Sequence, residues 1–233
     1  RLQNPRYQDC DSRGIDVALL YREDTFTPLE KHFYSVGFPT RDILYTKGVV
    51  NSLDTLHILV NHWPSKSGGE KASEPRRIAV AQRVKGITDS LLAANPSANI
   101  LLMGDFNDTH NSKSLKILTE NNLPDDSSGR KVLVNLAPFA WGADGTHKYR
   151  GVWSTIDQFL VSQGMLECEQ EGVLPQRVFC RKEMEIFLPE FLLEWDKTYM
   201  GIKPRRTYQG PKYLGGVSDH LPIILTLYGY SEN

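Results

Sequence analysis

Gly104-Asp105-Phe106-Asn107 follows directly on the apolar run Asn99-Ile100-Leu101-Leu102-Met103. A carboxylate and a carboxamide two residues apart on extended chain point the same way, so both can address one small ligand. The grammar recurs near the C-terminus. There, Gly215-Gly216-Val217-Ser218-Asp219-His220-Leu221-Pro222 sets polar groups ahead of the apolar run Ile223-Ile224-Leu225-Thr226-Leu227. Asp157 sits inside Ile156-Asp157-Gln158-Phe159-Leu160-Val161, where an acid without a partner is costly to bury. His62 closes a further apolar stretch in Asn61-His62-Trp63-Pro64-Ser65. Taken alone, an Asp-x-Asn is most often a turn or a helix cap. Several acid- or imidazole-bearing strand ends in one chain point instead to a shared metal and phosphate site.

Phosphoester hydrolysis would use these residue types. The phosphoryl oxygens are already anionic, so an attacking hydroxide needs that charge neutralised and the leaving alkoxide needs a cation or an acid. Mg²⁺ (or Mn²⁺) suits the task and takes oxygen ligands, typically one or two carboxylates with waters and substrate. The attacking water also needs a base, commonly a His held in one tautomer by a carboxylate. Asp105, Asn107, Asp157, Asp219, His220 and His62 offer these parts, short of a complete set of metal ligands. The stretch 203–213 adds Lys203, Arg205, Arg206 and Lys212 beside Tyr208 and Tyr213. Bases interleaved with aromatics suit phosphate and ring contacts, which makes Arg206 and Tyr208, with Arg150, the candidate substrate-binding residues. Neither a phosphate-cradling glycine loop nor a nucleophile elbow is present.

The elements that must position these groups are mostly strands. Residues 15–21 are apolar and β-like, and 42–50 and 53–63 read as two strands around a turn at Asn51-Ser52. Ser73-Glu74-Pro75 reads as a helix start, after which Ile78, Ala81, Val84, Ile87 and Leu91 keep helical spacing until Asn95-Pro96. The run 99–103 is a buried strand and 112–120 a short helix. Residues 121–147 read as loop with brief extended pieces, and 149–162 as a hairpin or strand pair. Many strands with few helices favour packed sheets flanked by helices. Asn61, alternating with His62, is expected to face away from it, and Asp16 is expected to be structural.

With 233 residues, one large domain over 1–233 is expected, and 40% hydrophobic residues suffice for its core. Net charge is −1 and the pI about 6.7. A protein that grips nucleic acid by phosphate neutralisation usually carries a basic excess, so any such grip here must be local. No apolar stretch reaches the ~20 residues that span a bilayer. Cys10, Cys168 and Cys180 show no metal spacing, and one bridge with a free thiol or three buried thiols are both open. A monomer is expected.

Asn61-His62-Trp63-Pro64-Ser65, Gly104-Asp105-Phe106-Asn107, Ile156-Asp157-Gln158-Phe159-Leu160 and Ser218-Asp219-His220-Leu221-Pro222 occur in that order. Together they resemble the ordered motifs of the endonuclease/exonuclease/phosphatase superfamily, which includes exonuclease III-like and pancreatic-type deoxyribonucleases, neutral sphingomyelinases and inositol polyphosphate 5-phosphatases. The wording of residues 12–21 and 61–69 is most similar to a bacterial branch of unassigned substrate. The resemblance implies an α/β (α+β) fold of the deoxyribonuclease type, a four-layer sandwich of two mostly antiparallel sheets flanked by helices. It also implies a Mg²⁺-dependent phosphoester hydrolase acting on a nucleic acid, a nucleotide or a phosphorylated lipid or sugar. By the same resemblance His220 activates water, Asp157 orients that His, Asp105 and Asn107 position the nucleophile and phosphoryl oxygens, Asp219 lies close to the metal with Asp105 and Asn107 as the other candidate ligands, and His62 contacts phosphate or protonates the leaving group.

Members of that family begin with a strand bearing an Asn and a second strand ending in a Glu, the main Mg²⁺ ligand. Both would fall upstream of Arg13, and residues 1–12 offer only Asp9 and Asp11 in a polar tract. The expectation is therefore a chain given without its N-terminal strands. A chain that has truly lost that Glu would instead be a non-catalytic phosphate-ligand-binding module. The start at Arg1, neither Met nor a signal peptide, suggests a processed chain and an extracytoplasmic location.

Overall fold

The longest apolar runs become the centre of a six-stranded sheet. Its order is Phe26–Tyr34, Ile43–Val50, Asp54–His62, Asn99–Asp105, Asp157–Ser162 and Leu133–Asn135. This is a computed structural model that describes residues 2–3, 15–120, 133–166 and 178–229. All neighbours in the sheet run antiparallel except Asp54–His62 and Asn99–Asp105. That parallel pair needs a crossover, supplied by the helix Glu70–Ala94.

One face of the sheet lies under this helix. Val80, Ala81, Val84 and Ile87 pack onto Tyr45, Leu59, Ile100 and Leu102, joined by Leu115 and Leu118 of the helix Lys113–Thr119. The other face, with Leu44, Leu56, Ile58, Leu101, Phe159 and Val161, meets a second layer of short strands through Val178, Met184, Ile186 and Leu221. In that layer Met184–Ile186 lies between Ile223–Ile224 and Ala140–Trp141, while Val178–Cys180 pairs with Leu227–Gly229. The mixed α+β architecture expected from the sequence is the one observed, with mostly antiparallel strands and few helices. Among the described residues no helix is long and apolar enough to cross a membrane.

Local departures from the expected elements have physical causes. Phe26–Tyr34 carries Pro28, Glu30 and Lys31 and reads as polar, yet it is the outermost strand of the sheet, with a bulge between Pro28 and Glu30. Edge strands tolerate proline and charge because one row of their backbone groups faces water. Of residues 15–21 only Leu19–Leu20 is strand, pairing with Leu2–Gln3. The long helix begins at Glu70, ahead of the expected start, and Pro75 is an exposed interior residue. Residues 223–227 form two short strands with a break between them. Cys180 is buried and burial pushes its thiol up to about 11; Cys10 and Cys168 lie outside the described residues.

Candidate active site

Strand register aligns the first three groups. His62 is the parallel partner of Asp105, and Asp105 is the antiparallel partner of Asp157. These are terminal residues of three adjacent strands, so their side chains leave the same face of one rung. Main-chain bonds extend the ladder one residue further: Trp63 N–H donates to Asp105 O and Phe106 N–H to Ile156 O, each at 2.9 Å. His62 Nε2 stands 3.4 Å from Asp105 Oδ2.

Asn107 reaches Asp105 differently from the extended geometry expected of it. The strand ends at Asp105, and Asn107 takes a left-handed φ of 51°, a conformation that Asn tolerates better than most residues. Its N–H donates to Asp105 Oδ1 at 2.7 Å, and Nδ2 donates to Asp105 Oδ2 at 3.1 Å and Trp63 O at 2.9 Å. Gly104 is required just before: at φ 129° a Cβ would run into the Asn61 carbonyl oxygen. Asn61 faces away, donating to Leu59 O and accepting from Trp63 Nε1.

His220 arrives from the second layer. Its Nδ1 bonds Asp157 Oδ2 at 2.8 Å. Thr146 makes this meeting possible: its Oγ1 accepts from the N–H groups of Ile156 and Asp157, both at 3.2 Å, and its carbonyl accepts from Leu221 N–H at 2.7 Å. One fully buried threonine thus fixes the start of the Asp157 strand and the residue after His220. His147 forms a strand-type bridge with His220, and the two rings lie 4.6 Å apart.

The cluster is electrostatically tense. Burial and the adjacent Asp157 charge push the Asp105 carboxyl up to about 7, against the opposing pull of His220 and Arg41. Burial alone would lower His220, but the Asp157 hydrogen bond and the charges of Asp157, Asp105 and Asp219 lift it to about 9. His147 is pushed down by burial and by its neighbour His220. For Asp219, burial works against the charged form, yet His220 and Arg206 outweigh it and hold the carboxyl below its ordinary value.

A buried clamp supports the loops from below. Arg77 Nε meets Asp108 Oδ2 at 2.7 Å, and Ser114 Oγ donates to the same oxygen at 2.6 Å. Arg77 Nη1 also donates to Ser73 Oγ and to Pro64 O, while Gln158 Nε2 donates to Asp108 O. The loops after His62 and Asn107 and the strand of Asp157 are therefore tied together through groups that almost no water reaches.

A sequence profile described as the Endonuclease/Exonuclease/phosphatase family matches residues 3–228. The chain belongs to the endonuclease/exonuclease/phosphatase family. A functionally unknown conserved protein from Enterococcus faecalis V583 shares its fold, with 14% identity and a TM-score of 0.57 over 91% of this chain and 71% of that one. A mannosyl-6-phosphatase of Bacteroides thetaiotaomicron VPI-5482 does so at 17% identity and TM-score 0.54, covering 91% and 70%. A humanized D. rerio TDP2 follows at 13% and 0.52, covering 89% and 69%. No curated protein matches significantly.

Within this endonuclease/exonuclease/phosphatase fold, Asp105, Asp157 and His220 place ligand atoms within 4.8 Å of one another, and His62 and Asn107 both contact Asp105. Arg206 does not stand open: its Nη2 donates to Asp219 Oδ2 at 2.8 Å. Arg150 occupies the turn between His147–Tyr149 and Val152–Ser154, its guanidinium 5.3 Å from the Tyr149 ring. Tyr208 is exposed in the small hairpin with Tyr213, their rings 5.3 Å apart. Among the described residues, no hydrogen bond, ion pair or ring contact joins Arg150 or Tyr208 to the cluster. Thr146, His147 and Arg41 were not singled out by sequence. The first two fall in a stretch that reads as loop, and Arg41 precedes a strand with no motif around it.

Proposed function

We propose that this chain hydrolyses a phosphoester by in-line attack of water, with a divalent metal ion as cofactor. The observation that carries this reading is the Asp157–His220 hydrogen bond set on the same rung as Asp105 and His62. Because His220 Nδ1 donates to Asp157, Nε2 is the atom left to take a proton from water. Asp157 fixes the tautomer and stabilises the imidazolium that forms. As the water oxygen bonds to phosphorus, the P–O bond to the leaving group breaks, and His62 is placed to hand that oxygen a proton. Asp105 and Asn107, locked to each other, hold water and phosphoryl oxygens in line. Asn107 Nδ2 is committed to Trp63 O and Asp105, so Oδ1 is the atom that faces a ligand.

The donor set fits a hard cation. Burial, and after it the adjacent Asp157 charge, raises Asp105 until it holds a proton near neutrality, a penalty on the charged form that a divalent ion relieves. Mg²⁺ or Mn²⁺ would be held by Asp105 and Asn107, with Asp219, which groups with His147 and His220, acting on it through water, and when bound would neutralise charge on the phosphoryl and leaving oxygens.

The near-neutral chain favours a small phosphoester over a long duplex. Assays of the Mg²⁺-loaded protein on p-nitrophenyl phosphate, bis-p-nitrophenyl phosphate and duplex DNA test this. His220→Ala and Asp105→Ala are expected to lower turnover about a thousandfold or more at nearly unchanged melting temperature. Parent-like activity in either variant ends the proposal. Activity that changes little with salt supports the small substrate, and a steep loss on DNA supports a nuclease.

A further inference from the structure

His147 is a second imidazole at the edge of the cluster that the proposed hydrolysis does not use. Its ligand atom, one from Asp219 and one from His220 all lie within 4.8 Å of one another. The bridge between the two histidine backbones and the 4.6 Å ring separation, at a 41° tilt, hold the imidazoles side by side. With His220 Nδ1 bonded to Asp157 Oδ2, its Nε2 is the nitrogen left to bind an ion. A carboxylate on the far nitrogen orients a ligating imidazole and raises its basicity, an arrangement common at zinc centres.

Two nitrogens and one oxygen make a poor shell for Mg²⁺, which demands oxygen, and a good one for Zn²⁺ with water in the fourth position. Ligand atoms held tetrahedrally at ~2.1 Å from one Zn²⁺ stand about 3.4 Å apart. The three atoms here, all within 4.8 Å of one another, therefore have to close by at most about 1.4 Å, which side-chain rotations can supply. Asp219 can contribute while its Oδ2 keeps the Arg206 hydrogen bond, because the carboxylate has a second oxygen.

We propose that His147, Asp219 and His220 form a second metal site, taking Zn²⁺ in preference to Mg²⁺, and that its occupation stops turnover by tying up Nε2 of His220. The binding half of this inference stands on geometry alone, and the inhibitory half rests on the hydrolytic reading above.

Calorimetric titration of Zn²⁺ into the chain, with Mg²⁺ in excess, tests the site. One Zn²⁺ per chain is expected, with affinity lowered at least about tenfold in both His147→Ala and His147→Gln. Equal affinity in parent and variants overturns the proposal. Co²⁺ in place of Zn²⁺ should give visible ligand-field bands without an intense near-ultraviolet thiolate band. A thiolate band would move the ion to a cysteine and also overturn it. In the hydrolysis assay, Zn²⁺ should inhibit with a midpoint that matches its calorimetric affinity and rises in His147→Ala. Zn²⁺ binding through His147 in a protein that cleaves no phosphoester would keep the site and remove the hydrolase reading. Hydrolysis undisturbed by saturating Zn²⁺ would keep the hydrolase reading and overturn the inhibitory half of the proposal.

Discussion

Asp105 and Asp157 are register partners on adjacent antiparallel strands, and both carboxylates lie in the cluster that His220 closes. Like charges set directly opposite one another destabilise a sheet, so this pairing should be visible in the pH dependence of stability. Asp105 rises from 3.8 to about 7 and His220 from 6.5 to about 9. Each therefore holds its proton more tightly when folded. The stabilisation is fully present below the unfolded value and is lost as pH rises through the folded one. The metal-free protein should lose melting temperature between about pH 4 and 7 through Asp105, and between about pH 6.5 and 9 through His220. Calorimetric scans across that range should show a shallower decline below neutrality in Asp105→Asn. A parent that gains stability from pH 7 to 9 would contradict the linkage.

Asp157→Asn makes a separate prediction about rate. It removes the hydrogen bond and the charge that raise His220. The rising limb of kcat/KM against pH should move to lower pH. The plateau should drop about a hundred- to ten-thousandfold, because the tautomer is no longer enforced. A limb that moves upward would show that Asp157 does not tune this imidazole.

Thr146→Val keeps shape but deletes the acceptor for two main-chain N–H groups. Urea unfolding should register a loss of about 1–3 kcal/mol, with a fall in kcat because Asp157 and His220 lose their common anchor. Thr146→Ser should restore most of both. A valine variant with parental stability and turnover would remove Thr146 from the site's support.

The Arg77–Asp108 pair is buried, so taking away one partner strands a charge without water. Arg77→Met and Asp108→Asn should each cost about 3–5 kcal/mol. The double variant should cost clearly less than their sum. A double-mutant cycle by chemical denaturation decides, and strict additivity would show that the two do not act as a unit.

Sequence made the centre of the molecule legible and left the margins obscure. Strand Asn99–Asp105 announces itself by the unbroken apolar run Ile100-Leu101-Leu102-Met103, and Ile43–Val50 and Asp54–His62 by Ile43-Leu44-Tyr45 and by Leu56, Ile58 and Val60 at alternate positions. Phe26–Tyr34 does not, because an edge strand has little reason to look hydrophobic. At the site, Asp105, Asn107, Asp157 and His220 could be singled out because each is a polar group beside an apolar run. Thr146 and His147 could not, since their importance comes from main-chain acceptors and a cross-layer bridge that no local pattern encodes. Asp108 was hidden for a related reason: its partners Arg77 and Ser114 lie on two different helices.

His220 reaches Asp157 from the opposite layer of the sandwich, held there by Leu221 N–H on the Thr146 carbonyl. Neither half of the protein therefore owns the Asp157–His220 pair. A relative slip of the layers by the length of a single hydrogen bond would uncouple acid from imidazole while leaving each sheet intact. Turnover should thus serve as a sensitive gauge of whether the two sheets are seated on one another. Mild denaturant, pressure or a wedge-like ligand should extinguish it before any spectroscopic sign of unfolding.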